Sequence, residues 1–201
     1  MTRSSPGPAL KNYRRMRPAH RVAQAGVIAA AYAALTYLLL QLPGGIAWGF
    51  VQLRLSEALT VVACITPAAI PGLALGSALA NLSSVASLGA AGWLDVVFGS
   101  LGTLLGAAWS WRFRERTALA LAGPVVANAL IVPAYLPVML RAAGINEIPF
   151  LGVSLTTAWP LVYLLGVATV GLGEAIVVYV LGWSLLAALR RMRLPGLGEK
   201  D

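Results

Sequence analysis

The chain has 201 residues, of which 59% are hydrophobic types and only 11% charged, and its mean hydropathy is +0.79. Soluble domains carry about 25% charged residues, so this chain has too few polar side chains to cover a water-facing surface, and a soluble enzyme is excluded. The net charge of +8 would point to nucleic acid in a soluble protein; here the 15 basic residues fall in clusters, and no nucleic-acid partner is expected.

Residues 1–20 form a basic tail (Arg3, Lys11, Arg14, Arg15, Arg17), read as lying disordered against anionic lipid headgroups. Residues 22–53, 58–94, 117–140 and 148–173 hold no Asp, Glu, Lys or Arg. A membrane helix needs about 20 largely apolar residues, so these runs predict spans near 22–42, 48–65, 69–85, 93–111 and 118–140. The first is longer than the apolar core of a signal peptide and reads as a retained span. Thr66 to Gly72 reads as a tight hairpin around Pro67 and Pro71. Residues 148–189 are too long for one helix and too short for two spans with a loop. Lys and Arg in short loops stay cytoplasmic, and keeping Arg112, Arg114, Arg116, Arg190, Arg191 and Arg193 on the side of the N-terminal tail requires an even number of crossings. A sixth span near 166–189 is therefore expected, preceded by an outer-side helix or re-entrant piece containing Trp159 and Pro160. The outcome is an all-α integral membrane protein with six transmembrane helices, both termini cytoplasmic, and a membrane domain at 21–193 followed by a short tail at 194–201.

Several chemistries drop out. Cys64 is the only cysteine and His20 the only histidine, so no internal disulfide, His-based triad or His-rich metal site is available. Lys11 and Lys200 are the only lysines, both in the tails, so no GxxxxGK[ST] loop exists to hold ATP. No cofactor or metal is expected. Small residues recur at four-residue spacing in the first span (Ala25, Ala29, Ala33 and Gly26, Ala30, Ala34), the third (Gly72, Gly76, Ala80) and the fourth (Gly102, Gly106). Such faces allow close helix approach; in the first span they cover more surface than one internal neighbour needs, which leaves both packing and docking to a partner open.

Ionisable residues at membrane depth are costly and need a partner or a function. Here they are Arg54, Glu57, Asp95 and Glu174, joined by the amides Asn81 and Asn128. The topology gathers them in the outer half of the bundle, with Trp48 and Trp93 at its rim. Arg54 and Glu57, three apart, have the spacing of an intrahelical ion pair. An outer pocket of carboxylates, amides and aromatics suits a flat, hydrogen-bond-donating or cationic molecule.

The segments VQLRLSEAL at 51–59, PAAIPG at 67–72, Asn81, DVVFGSL at 95–101, VANA at 126–129 and GLGE at 171–174 resemble, in order and spacing, the QueT family. These are substrate-binding (S) components of energy-coupling factor transporters, assigned to queuosine precursors. The resemblance covers about 21–193. It implies a six-helix S-component fold in the bacterial cytoplasmic membrane, a loop between the first two spans covering an outer pocket, and a 7-deazaguanine ligand. Glu174 would then read the base edge, Glu57 and Asp95 would hold other donors, and Arg54 would position Glu57, while Asn128, Asn81, Trp93 and Trp48 complete the pocket. It further implies a scaffold membrane subunit docking on Ala25, Ala29 and Ala33, and two ATPase subunits. An S component for a different vitamin, a membrane enzyme using Glu and Asp, and a purely structural scaffold remain the alternatives.

Overall fold

The structure is a computed structural model that describes residues 18–40, 54–148, 152–155 and 158–192; the expected loop after the first span, with Trp48, and both tails lie outside them. The described chain is mostly helical. Four helical stretches are long and apolar enough to cross a membrane, namely Pro18–Leu40, Ala69–Arg112, Thr117–Ala142 and Trp159–Arg191.

Helix α1 (Pro18–Leu40) is roughly 34 Å long at 1.5 Å per residue. It buries Ala29 and Tyr32 while Val22, Val27 and Leu38 stand about two-thirds exposed or more. Large apolar side chains on one open face are what a lipid-facing helix presents. The buried face lies against α2 (Ala69–Leu88) at van der Waals distance: a Cβ on Gly72 would fall 2.7 Å from the Ala25 carbonyl oxygen, and one on Gly76 would fall 2.7 Å from that of Ala29. Ala25 and Ala29 are therefore occupied inside the bundle, which corrects the expectation that they meet a partner subunit. The small residues left open on α1 are Ala19, Ala23, Gly26, Ala30, Ala31 and Ala34, of which Gly26, Ala30 and Ala34 recur at four-residue spacing.

Between α1 and α2 the expected α-helical span is instead a ten-residue 3-10 helix, Leu55–Cys64. At about 3.0 residues per turn it is thinner than an α-helix, and it buries seven of those ten residues, among them Ser56, Glu57, Thr60 and Val61. It is a central strut, packed on several sides. Gly182 makes room for it, since a Cβ there would lie 2.8 Å from Val61 Cγ1. After the turn that follows, α2 begins at Ala69, where the third span was expected to start, and carries Pro71 in its first turn, where the missing N–H has no helical partner to lose.

The chain reverses after α2 at Gly89, whose φ of +60° suits glycine. It returns through α3 (Gly92–Leu94), a π-helical turn at Asp95–Gly99, and α4 (Ser100–Arg112). Asn81 Nδ2 bonded to the Asp95 carbonyl at 2.8 Å and Thr103 Oγ1 bonded to Ser77 Oγ at 3.2 Å fix α2 and α4 as antiparallel neighbours. Helix α5 (Thr117–Ala142) follows. Then comes a two-residue antiparallel pair, β1 (Glu147–Ile148) with β2 (Val153–Ser154), in the register Glu147 to Ser154.

The last rod joins α6 (Trp159–Ile176), a π-helical segment at Val177–Gly182, and α7 (Trp183–Arg191). Trp159 and Pro160 open this helix and belong to no separate outer piece, because proline at the first helical positions starts a helix without losing a bond.

One end of the bundle collects the arginines: Arg190 donates to Thr117 Oγ1 at 3.0 Å and to the Arg114 carbonyl at 3.3 Å, while Thr66 Oγ1 bonds Gln24 Oε1 at 3.3 Å. Trp93, Trp109, Trp159 and Trp183 are all exposed, as belt residues are. Gly76→Val would drive a side chain into the α1 backbone and should destabilise the protein by about 1–3 kcal/mol. Gly26→Ala, which meets nothing within 4 Å, should be neutral; thermal unfolding in detergent measures both.

Candidate functional site

Asp95 opens the π-helical turn and is 3% exposed. Its Oδ1 accepts from Arg54 at 3.1 Å and from the Tyr135 hydroxyl at 2.8 Å, and its Oδ2 accepts from Arg54 at 3.0 Å and from Ser84 at 2.7 Å. A carboxylate has about four lone-pair positions, and here all are taken. A Cβ on Gly99 would lie 2.8 Å from both Asn81 Nδ2 and Asp95 Oδ1, so the absence of a side chain at 99 is what lets this cluster close.

Deeper in the bundle a second cluster forms on Glu57, which is fully buried. Tyr32 donates its hydroxyl to Glu57 Oε1, and Thr103 Oγ1 bonds the same oxygen at 3.2 Å. Glu57 Oε2 is buried with no hydrogen-bond partner among the described residues. Asn128 on α5 donates Nδ2 to Glu174 Oε1 on α6 at 3.0 Å, and its own Oδ1 is buried without a partner among the described residues. The elements that carry Glu57 and Glu174 pack against each other, with Val61 and Val178 in one apolar cluster. Gly171 lets α6 approach α5, its missing Cβ lying 3.2 Å from Ala129 Cβ.

Residues 22–191 match the family described as QueT transporter. The chain belongs to the QueT transporter family. No curated protein and no solved structure matches it.

A QueT-family chain is a transport protein. Glu57, Asn128 and Glu174 come together, and Asp95, Arg54 and Asn81 form the adjoining cluster. Arg54 pairs with Asp95, correcting the expected pairing with Glu57. The i, i+3 spacing brings side chains together only on helical backbone, and Arg54 precedes the helix with ψ of +88°. Asp95 is correspondingly saturated by the protein, against its expected role of holding ligand donors. Trp93 stands half exposed at the start of α3. Tyr32, Ser84, Thr103 and Tyr135 complete the clusters and were missed as members, although Tyr135 shares a helix face with Asn128. Among the described residues no three His, Cys, Asp or Glu side chains are placed to hold a metal ion.

Asp95→Asn leaves the Arg54 guanidinium without its counter-charge and should cost about 3 kcal/mol in unfolding free energy. Combining it with Arg54→Gln should recover part of that loss; denaturation of the single and double variants measures the coupling.

Proposed function

We propose that this chain is the substrate-binding subunit of an energy-coupling factor importer, taking up a queuosine precursor of the 7-deazaguanine class. The observation that carries this reading is the pair of buried, unpartnered acceptor oxygens, Glu57 Oε2 and Asn128 Oδ1, inside a transporter-family bundle. A buried acceptor left unmet costs about 1–3 kcal/mol, and a ligand that donates to it removes that cost. A 7-deazaguanine is flat and carries adjacent N–H donors on one edge.

In this reading the six helical rods are six spans, with the arginine-rich end and both termini in the cytoplasm of a bacterium, as the bias of basic residues requires. Glu57, Asn128 and Glu174 form the binding layer, and Arg54, Asp95 and Asn81 its rigid outer wall. The two ATPases belong to other chains, in keeping with a sequence that has no phosphate loop. A scaffold subunit would dock on the open small face of α1, at Gly26, Ala30 and Ala34.

At a concentration of 100 times its Kd, a 7-deazaguanine should stabilise the purified protein by about 2.7 kcal/mol, read as a rise of several degrees in melting temperature. A panel in which another vitamin gives the shift and no 7-deazaguanine does would overturn the substrate assignment. Ala30→Phe should leave ligand binding unchanged and abolish co-purification with the scaffold and ATPase subunits.

A further inference from the structure

With Asp95 closed on Arg54, Ser84 and Tyr135, the buried oxygens without a hydrogen-bond partner among the described residues are Glu57 Oε2, Asn128 Oδ1 and the Ser100 hydroxyl on α4, and of these the carboxyl and amide oxygens of Glu57 and Asn128 are acceptors only. Their free oxygens are held in place from opposite sides. Tyr32 and Thr103 both engage Glu57 Oε1, which turns Oε2 away from them. Glu174 Oε1 accepts Asn128 Nδ2, which fixes which way the amide points and leaves Oδ1 as its acceptor. Both residues press on consecutive positions of α4. Glu57 meets Thr103, and Asn128 Oδ1 would lie 2.6 Å from a Cβ on Gly102. Two fixed acceptors at one level of the bundle, each at least nine-tenths buried, match two donors on one edge of a planar molecule.

We infer that Glu57 and Asn128 are the specificity-determining pair, that they accept two N–H donors from one edge of the bound base, and that Glu174 is a positioning residue that orients the Asn128 amide. This rests on the transport reading above and changes the role of Glu174, expected from the sequence to read the base directly. It also predicts which bases are refused. A base that lacks one of the two donors leaves a buried acceptor unpaired, which costs more than the contact itself was worth.

The test is calorimetry on the purified full chain with 7-deazaguanine, which offers the ring N–H and an exocyclic amine, and 7-deazahypoxanthine, which lacks the amine. The wild type should prefer the first by about tenfold or more. In Glu57→Gln the bonds from Tyr32 and Thr103 hold the amide oxygen, so the amide nitrogen faces the ligand's donor and affinity for 7-deazaguanine should fall by roughly thirtyfold. Asn128→Leu should bring the ratio between the two bases close to one. Glu174→Gln still offers an oxygen to Asn128 Nδ2 and should keep both affinity and ratio within about threefold.

A Glu174→Gln protein that loses as much as Glu57→Gln would overturn the positioning role. An unaltered ratio in Asn128→Leu, or an undiminished affinity in Glu57→Gln, would overturn the reading pair. If those variants do not fold, the wild-type ratio decides alone: a value near one refutes the inference while leaving uptake of a 7-deazaguanine standing. A wild type that binds neither base refutes the transport reading and this inference with it.

Discussion

A charge inside a lipid-embedded bundle must be neutralised where it stands, and the Asp95 carboxylate carries that requirement for this protein. Its four hydrogen bonds come from Arg54 at the head of the 3-10 helix, Ser84 on α2 and Tyr135 on α5, while its own carbonyl receives Asn81. One side chain thus joins the strut, the α2 hairpin and α5. Removing a partner strands a buried charge, which is far more costly than the net worth of the pair. The π-helical turn serves this arrangement by placing Gly99 under the cluster, where a methyl group would collide with Asn81 and Asp95. With the rods locked at that level, Glu57 is brought against Thr103 and Asn128 against Gly102.

The spans were legible because lipid forbids charge over about 20 residues, and the long uncharged runs recover α2 and α5 to within a few residues of their observed ends. What failed were places where one pattern serves two structures. A run of ten apolar and small residues reads equally as α or 3-10, so the narrow strut at Leu55–Cys64 was hidden. Trp159 and Pro160 read as an interruption, whereas at a helix start proline is favourable. Alanine and glycine cover both faces of α1, and composition alone cannot tell which face is used by α2. Gly72 and Gly76 settle that in favour of Ala25 and Ala29.

The site was legible in its ionisable and amide members, because each is expensive against an apolar background. Their hydroxyl partners were not. Tyr32, Ser84 and Thr103 look like ordinary helix residues, and hydroxyls in helices commonly bond their own backbone, as Thr36 does to the Tyr32 carbonyl. Pairing also depends on backbone geometry that spacing cannot reveal, as Arg54 shows by turning to Asp95. The result is a division of labour among acidic residues that composition presents as alike: Asp95 is saturated and holds the bundle, whereas Glu57 retains a free oxygen.

An experimental structure of the protein with 7-deazaguanine bound distinguishes reception of the ligand by the unsatisfied oxygens of Glu57 and Asn128 from reception by the saturated Asp95 cluster. Donors of the base should lie at about 2.7–3.2 Å from Glu57 Oε2 and Asn128 Oδ1, with the Arg54 to Asp95 pair unbroken. A base bound to Asp95 in place of Arg54, or lying against Trp93 at the rim with both oxygens still unpaired, would contradict reception by Glu57 and Asn128.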